Sequence, residues 1–98
     1  MEPIKIFETL LIENNINNTH IIMKIFARFT VKNKINVVED SAKALDYLYK
    51  RGKYDDAKTP DLIILSSNLP KKNGMELCKK INDDKKLRLI PLICLNDF

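Results

Sequence analysis

Three polar clusters stand where apolar runs end, and they hold the residue types that could do chemistry: Glu13-Asn14-Asn15, Ser66-Ser67-Asn68 and Asn96-Asp97. Glu13 and Asp97 are carboxylates, able to ligate a hard cation or take a proton. Ser66 offers a hydroxyl, a poor nucleophile unless a base stands beside it. The one histidine, His20, falls in a stretch with helical spacing rather than beyond a strand end. No Ser-His-Asp arrangement follows from it, and it reads as a surface helix residue. The phosphate-loop pattern GxxxxGK[ST] is absent. Cys78 and Cys94 are far apart in sequence, without metal-ligand spacing, and both have apolar neighbours. They read as small buried core fillers rather than ligands or a disulfide. No catalytic set emerges, and the expectation is that the chain is not an enzyme.

These clusters need elements to position them. The run ending at Ile12 predicts a first strand over 6–12, with Leu10, Leu11 and Ile12 buried on both faces. Residues 16–31 predict a helix, with Ile22, Ile25, Phe26 and Phe29 at helical spacing and Ile21 and Met23 widening the stripe. The first reading of that breadth is wide burial; the second is contact with a partner. Ile35 to Val38 reads as a second strand. Glu39-Asp40-Ser41 opens a second helix that buries Ala44, Leu45 and Leu48, with Gly52 at its stop. A polar loop over 53–59 leads through Pro60 to a third strand, 61–66. A helix over 75–83 and a strand over 90–95 follow, with Gly74 at the start of that helix. The β-α-β-α-β-α-β order argues for one α/β domain over 1–98 with a parallel sheet covered on both faces.

The segments Leu10-Leu11-Ile12-Glu13-Asn14-Asn15, Val37-Val38-Glu39-Asp40-Ser41, Pro60 to Gly74 and Ile90-Pro91-Leu92-Ile93-Cys94-Leu95 together resemble the response-regulator receiver domain, of the CheY-like superfamily. Leu48 to Tyr54 and the long loop after it are similar to the regulators paired with phytochrome kinases. The resemblance implies a flavodoxin-like three-layer sandwich with strands ordered 2-1-3-4, whose crevice opens at the carboxyl ends of the first and third strands. Glu13, Asn14, Ser66 and Asn68 should face it. In this family the third strand ends in the aspartate that accepts phosphate from a histidine kinase; here that position is Ser66. Glu13 keeps the first acid of the acidic pair, and Asn14 replaces the second. Glu13 and Asn68 are the remaining candidates for a weak metal contact. Asn96 stands at the switch position, normally a threonine or serine. The lysine of a fifth strand does not fall within these residues. The expectation is a degenerate receiver that needs no cofactor and binds Mg²⁺ weakly at best.

The chain has 98 residues, is 45 % hydrophobic and 31 % charged, and carries a net charge of +4. That composition suits one small globular domain. The basic balance raises nucleic acid as a partner, but paired lysines alternate with acids, as in Asp83-Asp84-Lys85-Lys86, and no aromatic platform joins them. No apolar h-region or membrane-length run is present, so a cytoplasmic protein is expected. The resemblance implies a domain lacking its last helix-strand-helix unit, with the fourth strand as an open edge. Completion by a protein partner or by self-association is expected, through the surface of Ile21, Ile22, Ile25, Phe26 and Phe29. The partner class is a histidine kinase or another signalling protein, in a two-component phosphorelay. The alternatives are a fragment of a conventional phospho-accepting regulator and, last, a small basic nucleic-acid-binding protein.

Overall fold

The computed structural model describes residues 5–66 and 70–95, apart from the side chain of Lys71. Its strands are β1 (Phe7–Ile12), β2 (Asn33–Val38), β3 (Leu62–Ser66) and β4 (Leu92–Leu95). Its helices are α1 (Ile16–Phe26), α2 (Ser41–Leu48) and α3 (Lys71–Asp83), with 3-10 turns at Gly52–Tyr54 and Leu87–Leu89. The strands form one sheet in the order β2-β1-β3-β4, all parallel, as the alternation of elements predicted. Parallel neighbours need crossovers, which the helices supply.

Register sorts the side chains. Leu10 pairs with Ile63 and Ile12 with Leu65. These four point to the face covered by α2 and α3, into a core with Ala44, Leu48, Leu77, Ile81 and Leu87. Leu11 and Ile64 point the other way and meet Ile22 of α1. Leu10, Leu11 and Ile12 are completely buried, which is why the first strand reads as an unbroken apolar run. Each such side chain contributes about 1.5–3 kcal/mol of burial free energy.

The second face is covered less. Ile93 lies beside Ile64 and Leu95 beside Ser66, and both are exposed. Helix α1 stops at Phe26, five residues short of the expected end. The Asn33 side chain donates to the Phe26 carbonyl at 3.1 Å and to the Val31 carbonyl at 3.0 Å. Asn33 thereby satisfies a helix-end carbonyl that a further turn would have used. It also begins β2, two residues earlier than its polar character suggested. Burial on α1 is confined to Thr19 and Ile22, with Phe26 half-buried. Ile21, Ile25 and Phe29 are 57 %, 52 % and 53 % exposed, so the wide-burial reading of the stripe does not hold.

The stop of α2 is also different. Lys50, not Gly52, takes the left-handed conformation after the helix, with φ of 56°. Its N–H donates to the Tyr47 carbonyl, and the Arg51 N–H donates to the Asp46 carbonyl at 2.8 Å. This is a complete Schellman cap built on a lysine. Gly52, with φ of 58°, opens the following 3-10 turn. Helix α3 begins at Lys71, so Gly74 lies inside it. A Cβ there would meet Leu65 Cδ2 at 3.5 Å, an ordinary contact, and the position demands no glycine. Strand β4 starts at Leu92, after a 3-10 turn at Leu87–Leu89, and Asp84 Oδ1 accepts from the Lys86 and Leu87 N–H groups on the way into it. Those bonds hold the Asp84 carboxyl below its usual pKa. Cys94 lies exposed on β4, at the edge of the sheet, and is not the buried filler expected.

Candidate functional site

Ile12 of β1 pairs with Leu65 of β3, so the next residues, Glu13 and Ser66, come side by side at the carboxyl ends of the two central strands. Strand alternation puts both on the α1 face, in line with Leu11 and Ile64. Both are buried, at 3 % and 6 % exposure. The Glu13 N–H extends the β1–β2 ladder by donating to the Val38 carbonyl at 2.9 Å. Its carboxylate accepts the Asn15 N–H at 3.0 Å. Asn15 is in turn the N-cap of α1, its Oδ1 accepting from Asn17 N at 2.9 Å and Asn18 N at 3.3 Å. Glu13 therefore orients the capping residue, and its charge lies beside the positive end of the α1 dipole. Glu13 and Ser66 each have further interactions, so neither is a free group.

Asn14 is exposed in the turn between β1 and α1. Asn68 and Asn96, the other two positions assigned to the crevice, lie outside the described residues, as do Ser67 and Asp97. The described donors at the crevice are one carboxylate, one carboxamide and one hydroxyl. A Mg²⁺ site of this kind draws on several oxygen ligands and usually on more than one charge. The described residues do not fit that ion, and among them no group of three acidic, histidine or cysteine side chains comes together. A serine at this position would also yield a phosphate ester rather than the acyl phosphate that a carboxylate forms.

His20 is exposed on α1. The five residues assigned to an interface divide into two sets. Ile22 and Phe26 pack with Leu11 and Ile64, whereas Ile21, Ile25 and Phe29 lie outward. The rings of Phe26 and Phe29 meet at 4.9 Å, tying the exposed aromatic to the inward one.

One buried charge was missed. Glu8 of β1 is 7 % exposed, and its carboxylate accepts from Asn36 Nδ2 at 2.9 Å. Its backbone N–H donates to Asp61 Oδ2 at 2.8 Å. Glu8 lies at the end of the sheet opposite Glu13, on the wall of a cleft of about 690 Å³ that also takes in Tyr47, Tyr54 and Lys53. Burial and the Glu8 charge push the Tyr47 phenol above its ordinary pKa, partly offset by its hydrogen bond with Asn36. The available signal was a glutamate inside a run otherwise fit for a buried central strand.

No family model matches the chain. Similarity to individual proteins is clear. The chain is 29 % identical over 86 residues to the response regulator Rcp1 of Synechocystis sp., covering 88 % of this chain and 58 % of that protein. It superposes on the phosphorylated cyanobacterial phytochrome response regulator RcpA with a TM-score of 0.86 and 36 % identity, over 94 % of this chain and 66 % of that one. It superposes on a two-component response regulator from Legionella pneumophila with a TM-score of 0.82 and 30 % identity, over 92 % of this chain and 69 % of that one. The chain thus spans a little under three fifths of the curated relative's length.

Proposed function

We propose that this chain, which belongs to the response-regulator receiver family of two-component systems, is a pseudo-receiver that signals through protein–protein binding without being phosphorylated. Receiver domains of this family are signalling proteins rather than enzymes. The observation that carries the reading is Ser66 at the end of β3, buried beside Glu13 where the family places its acceptor aspartate. The frame around it is kept: the central strands, the capped α1 and the two-sided sheet. What is missing is the carboxylate that makes acyl phosphate and helps hold the metal.

The proposed partner is a histidine kinase or another protein of the same pathway, in the cytoplasm; among the described residues no helix is long and apolar enough to cross a membrane. Ile21, Ile25 and Phe29 supply the proposed contact surface. The test is binding of the chain to the histidine kinases of its own organism, measured by surface plasmon resonance with and without Mg²⁺ and acetyl phosphate. The reading expects an affinity that the phosphodonor leaves unchanged and that Ile25→Asp weakens at least tenfold. Binding that emerges only with the phosphodonor would overturn it.

A further inference from the structure

Cys78 and Cys94 are distant in sequence, yet the fold brings them to one seam. Cys78 follows Leu77 in α3, and Leu77 is buried in the core between α3 and the sheet. Cys94 lies opposite Leu65 in the β3–β4 register. Leu65 faces that same core, so alternation along β4 turns Leu92 and Cys94 towards α3. Cys78 and Leu92 both pack against this core. Burial, and after it the neighbouring Cys94, raise the pKa of the Cys78 thiol. Their exposures differ: Cys78 is half-buried, and Cys94 is open to solvent.

We propose that Cys78 and Cys94 are a redox pair, joined by mild oxidation into a disulfide that staples α3 to the edge strand β4. The oxidant class is a peroxide. The exposed Cys94 thiolate attacks one oxygen of hydrogen peroxide, forming an S–O bond and breaking the O–O bond. Hydroxide leaves and takes up the proton that Cys94 released, giving one water, and the sulfur, having lost two electrons, is a sulfenic acid. The Cys78 sulfur then attacks Cys94 Sγ. The S–S bond forms, the S–O bond breaks, and hydroxide departs as water with the proton from Cys78. In sum, two thiols and one peroxide give one disulfide and two waters. A dithiol reductant reverses the change by exchange. Cys94 is open to solvent and Cys78 half-buried, which makes Cys94 the first target and Cys78 the resolving partner, and burial raises the Cys78 pKa.

The test uses the full 98-residue chain, reduced, desalted and treated with a small excess of hydrogen peroxide. Remaining thiols are alkylated, and the intact mass and the non-reduced peptide map are recorded. The expected product is a monomer lighter by two hydrogens that takes up no alkylating agent, with Cys78 and Cys94 in one linked peptide. Its melting temperature should rise on the order of 10 °C, because closing a loop of about 15 residues constrains the unfolded chain. Cys78→Ser should leave Cys94 as a sulfenic acid trapped by dimedone, and Cys94→Ser should leave Cys78 unmodified at the same dose. The exposed-site variant keeps the comparison valid if Cys78→Ser folds poorly. Two alkylated thiols after oxidant, a dimer linked through Cys94, or a disulfide that lowers the melting temperature would each overturn the proposal.

Discussion

Ser66→Asp places a carboxylate beside Glu13 and, with it, a cost that the present crevice avoids. Glu13 and Ser66 extend a register pair on adjacent strands, and such strands run about 4.8 Å apart. Two carboxylates separated by about 5 Å repel by about 3 kcal/mol at an effective dielectric constant near 20. Little solvent discount applies, because both positions are more than nine-tenths buried. A loss of about 3 kcal/mol lowers the melting temperature of a domain of this size by about 15 °C. The sign with pH follows from linkage. The introduced aspartate has a folded pKa above its unfolded value, so its proton is held more tightly in the folded state. The penalty is absent below about pH 4 and grows as pH rises through the folded pKa. Mg²⁺ bound between the two carboxylates would offset the repulsion by mass action on the folded state. The assay is thermal melting of both proteins at pH 4 and pH 7, with and without Mg²⁺. The variant should match the wild type at the lower pH, melt well below it at the higher, and recover with Mg²⁺, while the wild type stays indifferent to the ion. A variant as stable as the wild type at neutral pH, and equally indifferent to Mg²⁺, would refute the placement of the two side chains in one dry crevice.

Other perturbations probe the frame. Lys50→Gly should stabilise by about 1 kcal/mol, read from urea melts, because glycine adopts the positive φ of 56° without the Cβ penalty. Thr9→Val should stabilise by about 1 kcal/mol in the same assay, since Thr9 Oγ1 is fully buried and has no hydrogen-bond partner among the described residues. Tyr47 should ionise above the ordinary tyrosine pKa in an ultraviolet tyrosinate titration, because its pKa is raised by burial and by Glu8. Its contribution to stability is complete below about pH 10 and lost as pH rises through the folded pKa, so Tyr47 promotes alkaline unfolding.

Most of the sheet was legible because its strands are buried on both faces and leave apolar runs that a sequence displays directly. Leu10-Leu11-Ile12 and Ile63-Ile64-Leu65 mark β1 and β3 in this way, the alternation with helices marks the sheet as parallel, and the family resemblance implied the strand order. Helix ends were less legible, because side chains distant in sequence set them. Asn33 stops α1 from the far side of a loop, and Lys50 makes a left-handed cap that glycine would ordinarily signal. The pairing of Ser66 with Glu13 was legible once the strand order was known. The seam between Cys78 and Cys94 was not, because it depends on β4 register and on which helix covers that face. Glu8 was hidden by its strand: its partners Asn36 and Asp61 lie far along the chain, and nothing local marks them.

The central claim is that this receiver frame no longer takes phosphate, and intact mass after incubation with Mg²⁺ and acetyl phosphate tests it most directly. A conventional receiver treated in parallel establishes that the donor is active. The account predicts an unchanged mass for this chain at every time point at which the conventional receiver gains a phosphoryl group. A stoichiometric adduct would contradict it, whether hydroxylamine-labile on Glu13 or Asp97 or a stable ester on Ser66.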